Sequence, residues 1–417
     1  MNKIIIINHY GITPDTPGAT KHYDMAKYFS NKNTHSVEFW MCGYNHHTGK
    51  NYPMLQGLKL QASEEEKNLK IVRVKGSPYR KSSILRQLNI TLFDLITSFK
   101  ILFSGKVDVV VLSVPPISIF TVLIIKLKRI KLVVDVEDLW PLFLIEMGMT
   151  NKMAIKYMDV FSNYLYRSSS GISAVSEGMK RYAQERAGNH KKEIWLAPLG
   201  VNLKEYTGKS KNNDLIADKA WKDAFKIMYI GAHGRANDLQ SVLETIKEFN
   251  WLEDTKYEKQ KKAFIFIGDG DQKKALLSYR DTLGLDNVFF EEAIPGKQVP
   301  DFLEHADVCL TNLKKVESFK LVRPNKIFQY MAMKKPVVSG IWGESREIIE
   351  SAEAGVYIDF TNYKNAAKTL YEMIHNEERL KEYALNGIEY VKQFGDRERI
   401  FEDYYNRLIQ ITTNQGE

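Results

Sequence analysis

Short apolar runs alternate with amphipathic helical segments along nearly the whole chain, and no other feature restricts the fold as strongly. Several runs are near-continuous Val, Ile and Leu, which is typical of parallel strands covered by helices on both faces. Because strand–helix–strand connections are right-handed, each half of the chain predicts a Rossmann-like α/β layer. The predicted strands are KIIIIN, KIVRV, DVVVLS, KLVVDVE, GISAVS and EIWLAP in the first half, and FKIMYIGA, AFIFIGDG, NVFFEEA, ADVCLTNL, KPVVSG and GVYIDF in the second.

A polar segment without a clear period, Pro198 to Ala224, separates the two sets of strands. The chain has 417 residues, which is too long for one core because domains usually have ~100–200 residues. We therefore predict domains at 1–198 and 199–395, followed by an amphipathic helix within 396–417. Open parallel sheets bind ligands beyond the carboxyl ends of their strands, so the loops there are the candidate sites.

The composition excludes several classes of protein. Hydrophobic residues make up 44% and charged residues 26%, which are ordinary globular values and rule out wholesale disorder. Cys42 and Cys309 are far apart in the sequence, which excludes a disulfide scaffold and a Cys-rich zinc site. No G-x-S-x-G or P-loop motif supports a hydrolase or an ATPase. The first residues lack the features of a signal peptide, so we expect a cytoplasmic protein.

The basic residues are concentrated in one region. The chain has 59 basic and 51 acidic residues, a net charge of +8, but Lys67 to Val134 has 13 basic against two acidic, or +11, which leaves 46 against 49 elsewhere. This excess predicts an anionic partner such as a phosphate or a membrane surface. We expect no nucleic acid, because the region lacks a recognised binding motif with interleaved aromatics. Leu88 to Phe103 is too short to span a bilayer but is suited to lie on one.

Two loops of the first half follow predicted strands. The loop after the first strand contains Gly18, which allows close backbone approach, and Ala19 opens the predicted helix. A helix N-terminus favours an anion, and Lys21 adds a positive charge. An ordinary βα loop is the alternative, since no G-x-G-x-x-G is present.

A second loop, D-V-E-D-L-W-P from Asp135 to Pro141, begins at the end of the fourth predicted strand. Asp135 and Glu137 share one face of the strand if its alternation holds, and Asp138 lies in the loop. Trp140 can wall a pocket. Helix capping by Asp138 is the structural alternative. We favour a functional role, because three acids flank a buried strand end.

Glycine-rich turns follow two strands of the second half. Gly231 and Gly234 precede Arg235, whose guanidinium suits a phosphate. Gly268, Asp269 and Gly270 form a turn with room for a base or a sugar. Plain turns are the alternative at both places.

Three cations crowd a predicted helix start in S-F-K-L-V-R-P-N-K-I-F-Q-Y-M-A, Ser318 to Ala332. Lys320, Arg323 and Lys326 surround Pro324, a natural first helical residue. Cations at a helix N-terminus oppose its dipole, so the pattern predicts a bound anion rather than solvated charges. Asn325 lies in the same helix start, and Gln329, one turn further, is placed to bond a hydroxyl. We predict no metal, because His46-His47 lacks ligand spacing.

Taken in order, these motifs resemble those of the retaining family-4 glycosyltransferases with the GT-B fold. The branch that is most similar builds bacterial capsule and O-antigen polysaccharides and includes N-acetylfucosaminyl transferases. The matching motifs are P-G-A-T-K at 17–21, DVVVLSVPP at 108–116, DVEDLWP at 135–141, GISAVSEGM at 171–179, PLGVN at 198–202, YIGAHGRANDL at 229–239, FIGDGD at 266–271, RPNKIFQYMA at 323–332, KPVVSG at 335–340 and AEAG at 352–355.

The resemblance implies two Rossmann-like domains facing across a cleft, with the C-terminal helix returning to the first domain. It implies a UDP-sugar held mainly by the second domain, an acceptor bound by the first, and no cofactor or metal. In this numbering it assigns the diphosphate to Gly18, Ala19, Arg235 and Lys326, the base to Gly268–Gly270 with Ala293 and Ile294, the ribose to Gln329, and the transferred sugar to Asp138 and Glu137.

Four positions depart from the family pattern. Ala232 and Asn237 replace its usual Arg and Lys, and Leu321 and Gln329 replace its paired glutamates. We predict a retaining transferase that moves a sugar to a lipid-linked saccharide on the inner face of the cell membrane. A UDP-sugar epimerase of the same fold and a non-catalytic partner of another transferase are the alternatives. The sequence leaves the oligomeric state open.

Overall fold

The computed structural model describes residues 2–14, 16, 18, 20–45, 49–51, 61–66, 68–79, 83–116, 118–146, 148–188, 192–207, 213–256 and 261–413. The chain divides into two compact units. The N-terminal unit comprises Met1–Pro198 and Glu398–Glu417, and the C-terminal unit comprises Leu199–Arg397. The chain therefore passes between the units twice.

The N-terminal unit is built on an eight-stranded sheet in the order β10-β9-β8-β7-β1-β2-β6-β5. Neighbouring strands pair in parallel except β5 and β6, which are antiparallel. Its elements are β1 (Asn2–Asn8), α1 (Lys21–Asn31), β2 (His35–Cys42), β3 (Tyr44–Asn45), β4 (Lys50–Asn51), β5 (Gln61–Glu66), β6 (Leu69–Val74), α2 (Ser83–Leu102), β7 (Val109–Val114), α3 (Ile119–Leu127), β8 (Lys131–Val136), α4 (Leu142–Glu146), α5 (Lys152–Ser168), β9 (Gly171–Ala174), α6 (Glu177–Ala187) and β10 (Glu193–Leu196).

The C-terminal unit is built on a six-stranded sheet in the order β13-β12-β11-β14-β15-β16. All of its strand pairs are parallel. Its elements are α7 (Leu203–Tyr206), β11 (Phe225–Ile230), α8 (Leu239–Lys256), β12 (Lys262–Ile267), α9 (Lys273–Thr282), β13 (Val288–Glu291), α10 (Val299–Leu303), β14 (Val308–Thr311), α11 (Asn325–Ala332), β15 (Val337–Ser339), α12 (Glu344–Ser351), β16 (Gly355–Tyr357), α13 (Tyr363–Ile374) and α14 (Glu377–Phe394).

Each unit has its own core, because its central strands are apolar on both faces. In β1 the four consecutive isoleucines, residues 4–7, are buried. In the C-terminal unit, alternate residues of β12 face two separate clusters, with Ile265 in one and Phe264 in the other. The last helix, α15 (Arg397–Thr413), adds Phe401, Tyr404 and Leu408 to the core of the N-terminal unit. The predicted α/β fold of two Rossmann-like domains is confirmed.

Candidate functional site

Loops at the carboxyl edge of the C-terminal sheet meet through glycine. Gly268, which follows β12, has φ of +154°, a backbone conformation that side chains rarely adopt. A Cβ there would collide with the carbonyl oxygen of Gly231, which follows β11. A Cβ at Gly270 would lie only 2.4 Å from the carbonyl oxygen of His233. The glycines predicted at these turns are therefore required by the contact between the two loops.

Helix α11 begins at this same edge. Pro324 precedes its first turn with φ of −63°, the value that the proline ring imposes. The hydroxyl of Tyr330 accepts a hydrogen bond from the amide of Ile230 at 3.2 Å and lies 3.3 Å from the carbonyl oxygen of Leu310. This side chain therefore holds the helix against β11 and β14. The first backbone amides of α11 have no partner within the helix.

Lys326, in the first turn of α11, is the central cation of this edge. Its Nζ lies 4.1 Å from the centre of the Tyr229 ring, and a Cβ at Gly231 would be 2.6 Å from it. Among the described residues it has no acidic partner. Burial lowers the pKa of the Lys326 amine to about 7. The Tyr229 hydroxyl donates to the carbonyl oxygen of Ala232 at 2.7 Å, which fixes the ring beneath the amine.

The other predicted cations of this helix start are neutralised. Lys320 forms an ion pair with Glu317 at 2.8 Å. Arg323 forms an ion pair with Glu344, the first residue of α12, and both side chains are largely buried. The following helix thus supplies an acidic partner for Arg323, and the assignment of Arg323 to the nucleotide-sugar stays a prediction.

Arg235 and Gln329 lie near the same edge with different surroundings. Arg235 is exposed, and its Nε is 3.6 Å from Asp271 Oδ2. Gln329 donates from Nε2 to the Tyr206 hydroxyl at 2.6 Å. Its amide oxygen remains an acceptor, but the family's glutamate would offer a carboxylate there. Gly234 precedes the short turn that contains Arg235.

Three further residues follow β12 and β13 at this edge. Asp269 is exposed and accepts a hydrogen bond from the amide of Gly270 at 2.8 Å. Ala293 and Ile294 come just after β13, with Ala293 exposed. Sequence reasoning missed Lys273, whose Nζ donates to the carbonyl oxygens of Gly268 and Glu291, both at 3.0 Å. That amine ties the two loops together.

Several buried polar atoms at this edge lack a partner in the described structure. They are both ring nitrogens of His233, the hydroxyl of Thr311 at the end of β14, and the amide oxygen of Asn325. Burial, with a smaller effect from Lys273, lowers the pKa of His233 to about 4, so the ring is neutral at pH 7. Unsatisfied buried polar atoms are costly. Their concentration beside Lys326 indicates a place for a polar ligand.

The N-terminal unit has a buried charged network at the end of β8. Asp135 Oδ2 accepts from Lys21 Nζ at 2.7 Å and lies 2.8 Å from His22 Nε2. Ser173 donates to the other carboxylate oxygen at 2.7 Å. Burial acts to raise the pKa of Asp135, but Lys21 and His22 outweigh it and hold the pKa well below its usual range. Lys21, only 1% exposed, thus forms a buried ion pair with Asp135, and its assignment to an anion at the start of α1 stays a prediction.

The same network contains three groups with metal-ligating chemistry. Donor atoms of His22, Asp135 and Glu137 lie within 4.8 Å of one another. The Lys21 ammonium is bonded to Asp135 and is 3.9 Å from Glu137, so it already supplies positive charge to both carboxylates. Charge balance therefore favours a structural role for this cluster over metal binding.

Asp138 has a different environment from Asp135. It accepts the amide of Leu139 at 2.8 Å. Burial raises the pKa of its carboxyl to about 6. Glu137 is held by the Ser113 hydroxyl at 3.1 Å. These two predicted catalytic acids thus lie at the carboxyl edge of the N-terminal sheet, with Asp138 the one whose charge is destabilised.

Arg86, which the sequence suggested only as part of the basic region, lies beside this acidic loop. Its guanidinium is 5.7 Å from the Trp140 ring centre and 5.4 Å from that of Tyr10, whose hydroxyl it also bonds at 2.7 Å. Trp140 follows Asp138 by two residues and is hydrogen-bonded to its carboxylate, so Arg86 reaches the acidic loop through this ring. Gly18, with φ of +126°, precedes α1. The predicted site residue Ala19 lies outside the described residues.

Comparison with known proteins finds a family model that matches part of the chain and solved structures that match nearly all of it. Residues 224–376 match the family model of glycosyl transferases group 1. No curated protein matches the chain by sequence.

Solved structures match over nearly the whole chain. Sucrose-phosphate synthase from Thermosynechococcus elongatus is 14% identical, with a TM-score of 0.73 and 99% of each chain covered. Anabaena HepE in complex with UDP-glucose is 15% identical, with a TM-score of 0.70 and coverage of 98% of this chain and 99% of that chain. The E. coli trehalose-6-phosphate structure bound with UDP-2-fluoro glucose is 10% identical, with a TM-score of 0.73 and the same coverage. At such identities the likeness establishes the fold alone, so the chain has the GT-B fold, with a match to glycosyl transferases group 1 in its C-terminal unit.

Proposed function

We propose that the chain is a retaining glycosyltransferase. Its donor is a UDP-sugar whose sugar is N-acetylated, and its acceptor is a lipid-linked saccharide. The reaction would serve bacterial surface polysaccharide synthesis at the cytoplasmic face of the membrane. One observation supports this most directly: Lys326 lies at the N-terminus of α11 beside Gly231, without an acidic partner in the described structure. An unpaired amine and free helix amides together suit a diphosphate.

The donor belongs, in this proposal, to the carboxyl edge of the C-terminal sheet. The HepE structure similar to this chain is a complex with UDP-glucose, and the E. coli structure holds UDP-2-fluoro glucose. Lys326 and the first amides of α11 would neutralise the departing diphosphate, which is the role that a metal has in other transferases. The unpartnered atoms of His233 and Asn325 are available to the same donor. We therefore propose catalysis without a metal.

Retention of configuration requires the acceptor hydroxyl to attack from the face that the diphosphate leaves. A β-phosphate oxygen would take the acceptor proton, so the chain needs no strong general base. We assign to Asp138, with Glu137 second, hydrogen bonds that position the transferred sugar. The raised pKa of Asp138, about 6, lets that carboxyl donate as well as accept a hydrogen bond near neutral pH.

The test is a transfer assay on the purified chain with a panel of UDP-, GDP- and dTDP-sugars. We expect UDP release that depends on a lipid-linked saccharide acceptor, a glycosidic product with the donor's anomeric configuration by NMR, and full activity in EDTA. Release of free sugar or an epimerised nucleotide-sugar without acceptor would instead identify an epimerase. Nucleotide-sugar binding without turnover on any acceptor would indicate a non-catalytic partner.

A further inference from the structure

The N-terminal unit exposes an unusual amount of apolar surface. Of the 20 large apolar side chains that are exposed in the described part of the chain, 16 belong to the segment 84–164, so this surface is local. They come from α2, α3, α4 and α5 and the turn after α2: Ile84, Leu85, Leu88, Leu92, Leu95, Phe99, Leu102, Phe103, Phe120, Leu123, Leu127, Ile145, Met153, Tyr157, Val160 and Tyr164. Soluble monomers rarely expose so many together.

Contacts join α2 and α3, and an electrostatic interaction links α5 to α2. Asp94 of α2 accepts the amides of Phe120 and Thr121, both at 2.9 Å, which joins α2 to the start of α3. Burial, with a smaller effect from Asp94, raises the pKa of the Tyr157 hydroxyl on α5. On α5 an open groove of about 650 Å³ is lined by Met153, Lys156, Tyr157, Val160, Phe161 and Tyr164.

Most of the charges around this surface are positive. Among the described residues of 83–164, the charged residues that are exposed as a whole are Lys106, Arg129, Lys152 and Lys156. One acid also reaches solvent, since the Asp159 side chain on α5 is 44% exposed, but it lies 3.6 Å from Arg186. An apolar surface bordered mainly by cations complements an anionic bilayer, whose acyl region accommodates the apolar side chains and whose headgroups bind the lysines.

We propose that α2, α3 and α5 form the surface on which this protein docks onto an anionic lipid bilayer. The inference rests on the proposed function in one respect, since it accounts for how the enzyme reaches a lipid-linked acceptor. No helix in the described part of the chain is long and apolar enough to cross a membrane. Docking is therefore interfacial, with Tyr157 and Tyr164 suited to the headgroup level, where an aromatic ring with a polar end is favoured.

A second copy of the chain is the competing occupant, because α2 exposes Leu88, Leu92, Leu95 and Phe99 at heptad spacing. Helix pairing is usually specified by complementary charges beside such a seam. On α2, Asp94 is buried and Lys100 lies 5.0 Å from the Trp40 ring centre, so neither flanks a pairing seam. The apolar surface also extends well beyond one helix, which favours the bilayer.

The experiment is flotation of the full chain with vesicles of phosphatidylcholine, with and without phosphatidylglycerol. We expect recovery only with the mixed vesicles, and loss of binding at high salt. Leu88→Ser with Phe99→Ser, and separately Lys152→Glu with Lys156→Glu, should each weaken partition by about tenfold or more.

Matched controls come from the C-terminal unit. Leu385 and Phe394 are 59% and 57% exposed, against 56% and 60% for Leu88 and Phe99. Leu385→Ser with Phe394→Ser, and Lys364→Glu with Lys381→Glu, should bind vesicles as the wild type does. Calorimetric titration with UDP on every variant separates this inference from the proposed function, since docking variants should keep their UDP affinity.

Three results would contradict the docking proposal. They are equal recovery with neutral and mixed vesicles, no recovery with either kind, and equal losses of binding in the control variants. A dimer by sedimentation that Leu88→Ser with Phe99→Ser dissociates would assign the surface to a second copy instead. If the protein binds vesicles as expected but does not bind UDP, the docking surface is supported and the proposed donor is rejected.

Discussion

Lys326 should make donor binding depend on pH. Its pKa of about 7 in the free protein means that the amine is largely neutral at pH 8. A bound diphosphate favours the ammonium and raises that pKa, so binding above pH 7 takes up a proton. We expect UDP-glucose affinity to fall as pH rises from 7 to 9, with proton uptake measured by calorimetry in buffers of different ionisation enthalpy.

Lys326→Met should flatten this pH dependence and weaken affinity at pH 7 by ~1.5–3 kcal/mol, the scale of a charged hydrogen bond. Lys320→Met is the matched control, because Lys320 is already paired with Glu317. A wild-type affinity that does not change with pH, or equal losses in the two variants, would remove Lys326 from the diphosphate site.

The buried carboxylate of Asp138 should lower the free energy of unfolding at neutral pH. Its folded pKa of about 6 lies above the usual carboxyl value of 3.8, so the folded state binds the proton more tightly than the unfolded state. Stability therefore falls as pH rises from the unfolded pKa to the folded pKa, and the full cost is present at pH 7. Asp138→Asn removes the buried charge and should raise the free energy of unfolding at pH 7 by ~1–3 kcal/mol, measured by urea denaturation.

The same variant should lose most of its turnover with little change in UDP-sugar affinity, because we assign Asp138 to the sugar and not to the nucleotide. Its amide oxygen can still accept the Leu139 amide. Wild-type turnover in Asp138→Asn, with or without the gain in stability, would make the acidic loop structural.

Residue types and spacing singled out Lys326, but they could not show that two other predicted cations have acidic partners. Lys21 pairs with Asp135, which is 114 residues away in the sequence. Arg323 pairs with Glu344, which begins α12 beyond the next strand. A cluster of like charges indicates an anion, but which cation remains free depends on partners that only the folded chain brings close. The position of Arg86 beside Trp140 was missed for the same reason.

Among the elements, α15 is linked to the sheet of the N-terminal unit by side-chain hydrogen bonds, one of which involves the buried Tyr404 hydroxyl. Ser173 donates its proton to Asp135, so the Tyr404 hydroxyl, 2.9 Å from Ser173 Oγ, must be the donor of that second bond. Tyr404→Phe removes the donor and should lower the free energy of unfolding by ~0.5–1.5 kcal/mol. Tyr363→Phe, at an exposed position of α13, is the control in urea denaturation. Equal midpoints for the two variants would contradict this link.

Most of the strands that sequence analysis found have two buried faces, although the edge strands β10 and β13 were also found. β7 and β8 are apolar at nearly every position, and short runs of this kind are typical of strands at the centre of a parallel sheet. β2, HSVEFWMC, and β5, QASEEE, were not predicted. Glutamate disfavours strands, but β5 is an antiparallel edge strand, where pairing with β6 decides its conformation and charge discourages further pairing. Helix α11 was predicted to within one residue, because proline marks its start.

At the scale of the whole molecule, the two units have separate sheets and cores, so a ligand of one unit should stabilise that unit first. We place the donor in the C-terminal unit, Leu199–Arg397. A free nucleotide concentration of one hundred times Kd raises the free energy of unfolding by ~2.7 kcal/mol. For a unit of this size that raises the melting midpoint by roughly 5–10 °C.

Differential scanning calorimetry of the full chain with UDP, GDP and dTDP measures this directly. We expect UDP to raise the midpoint of one unfolding transition by more than GDP or dTDP does. Lys326→Met should abolish most of that rise and leave the rest of the unfolding profile unchanged. The comparison matters because we assign uracil recognition to contacts at the ends of β12 and β13, and we assign Lys326 to the diphosphate that all three nucleotides share. Equal shifts for the three nucleotides would therefore keep the diphosphate site and reject UDP as the specific donor nucleotide, and no shift with any of them would reject the site itself.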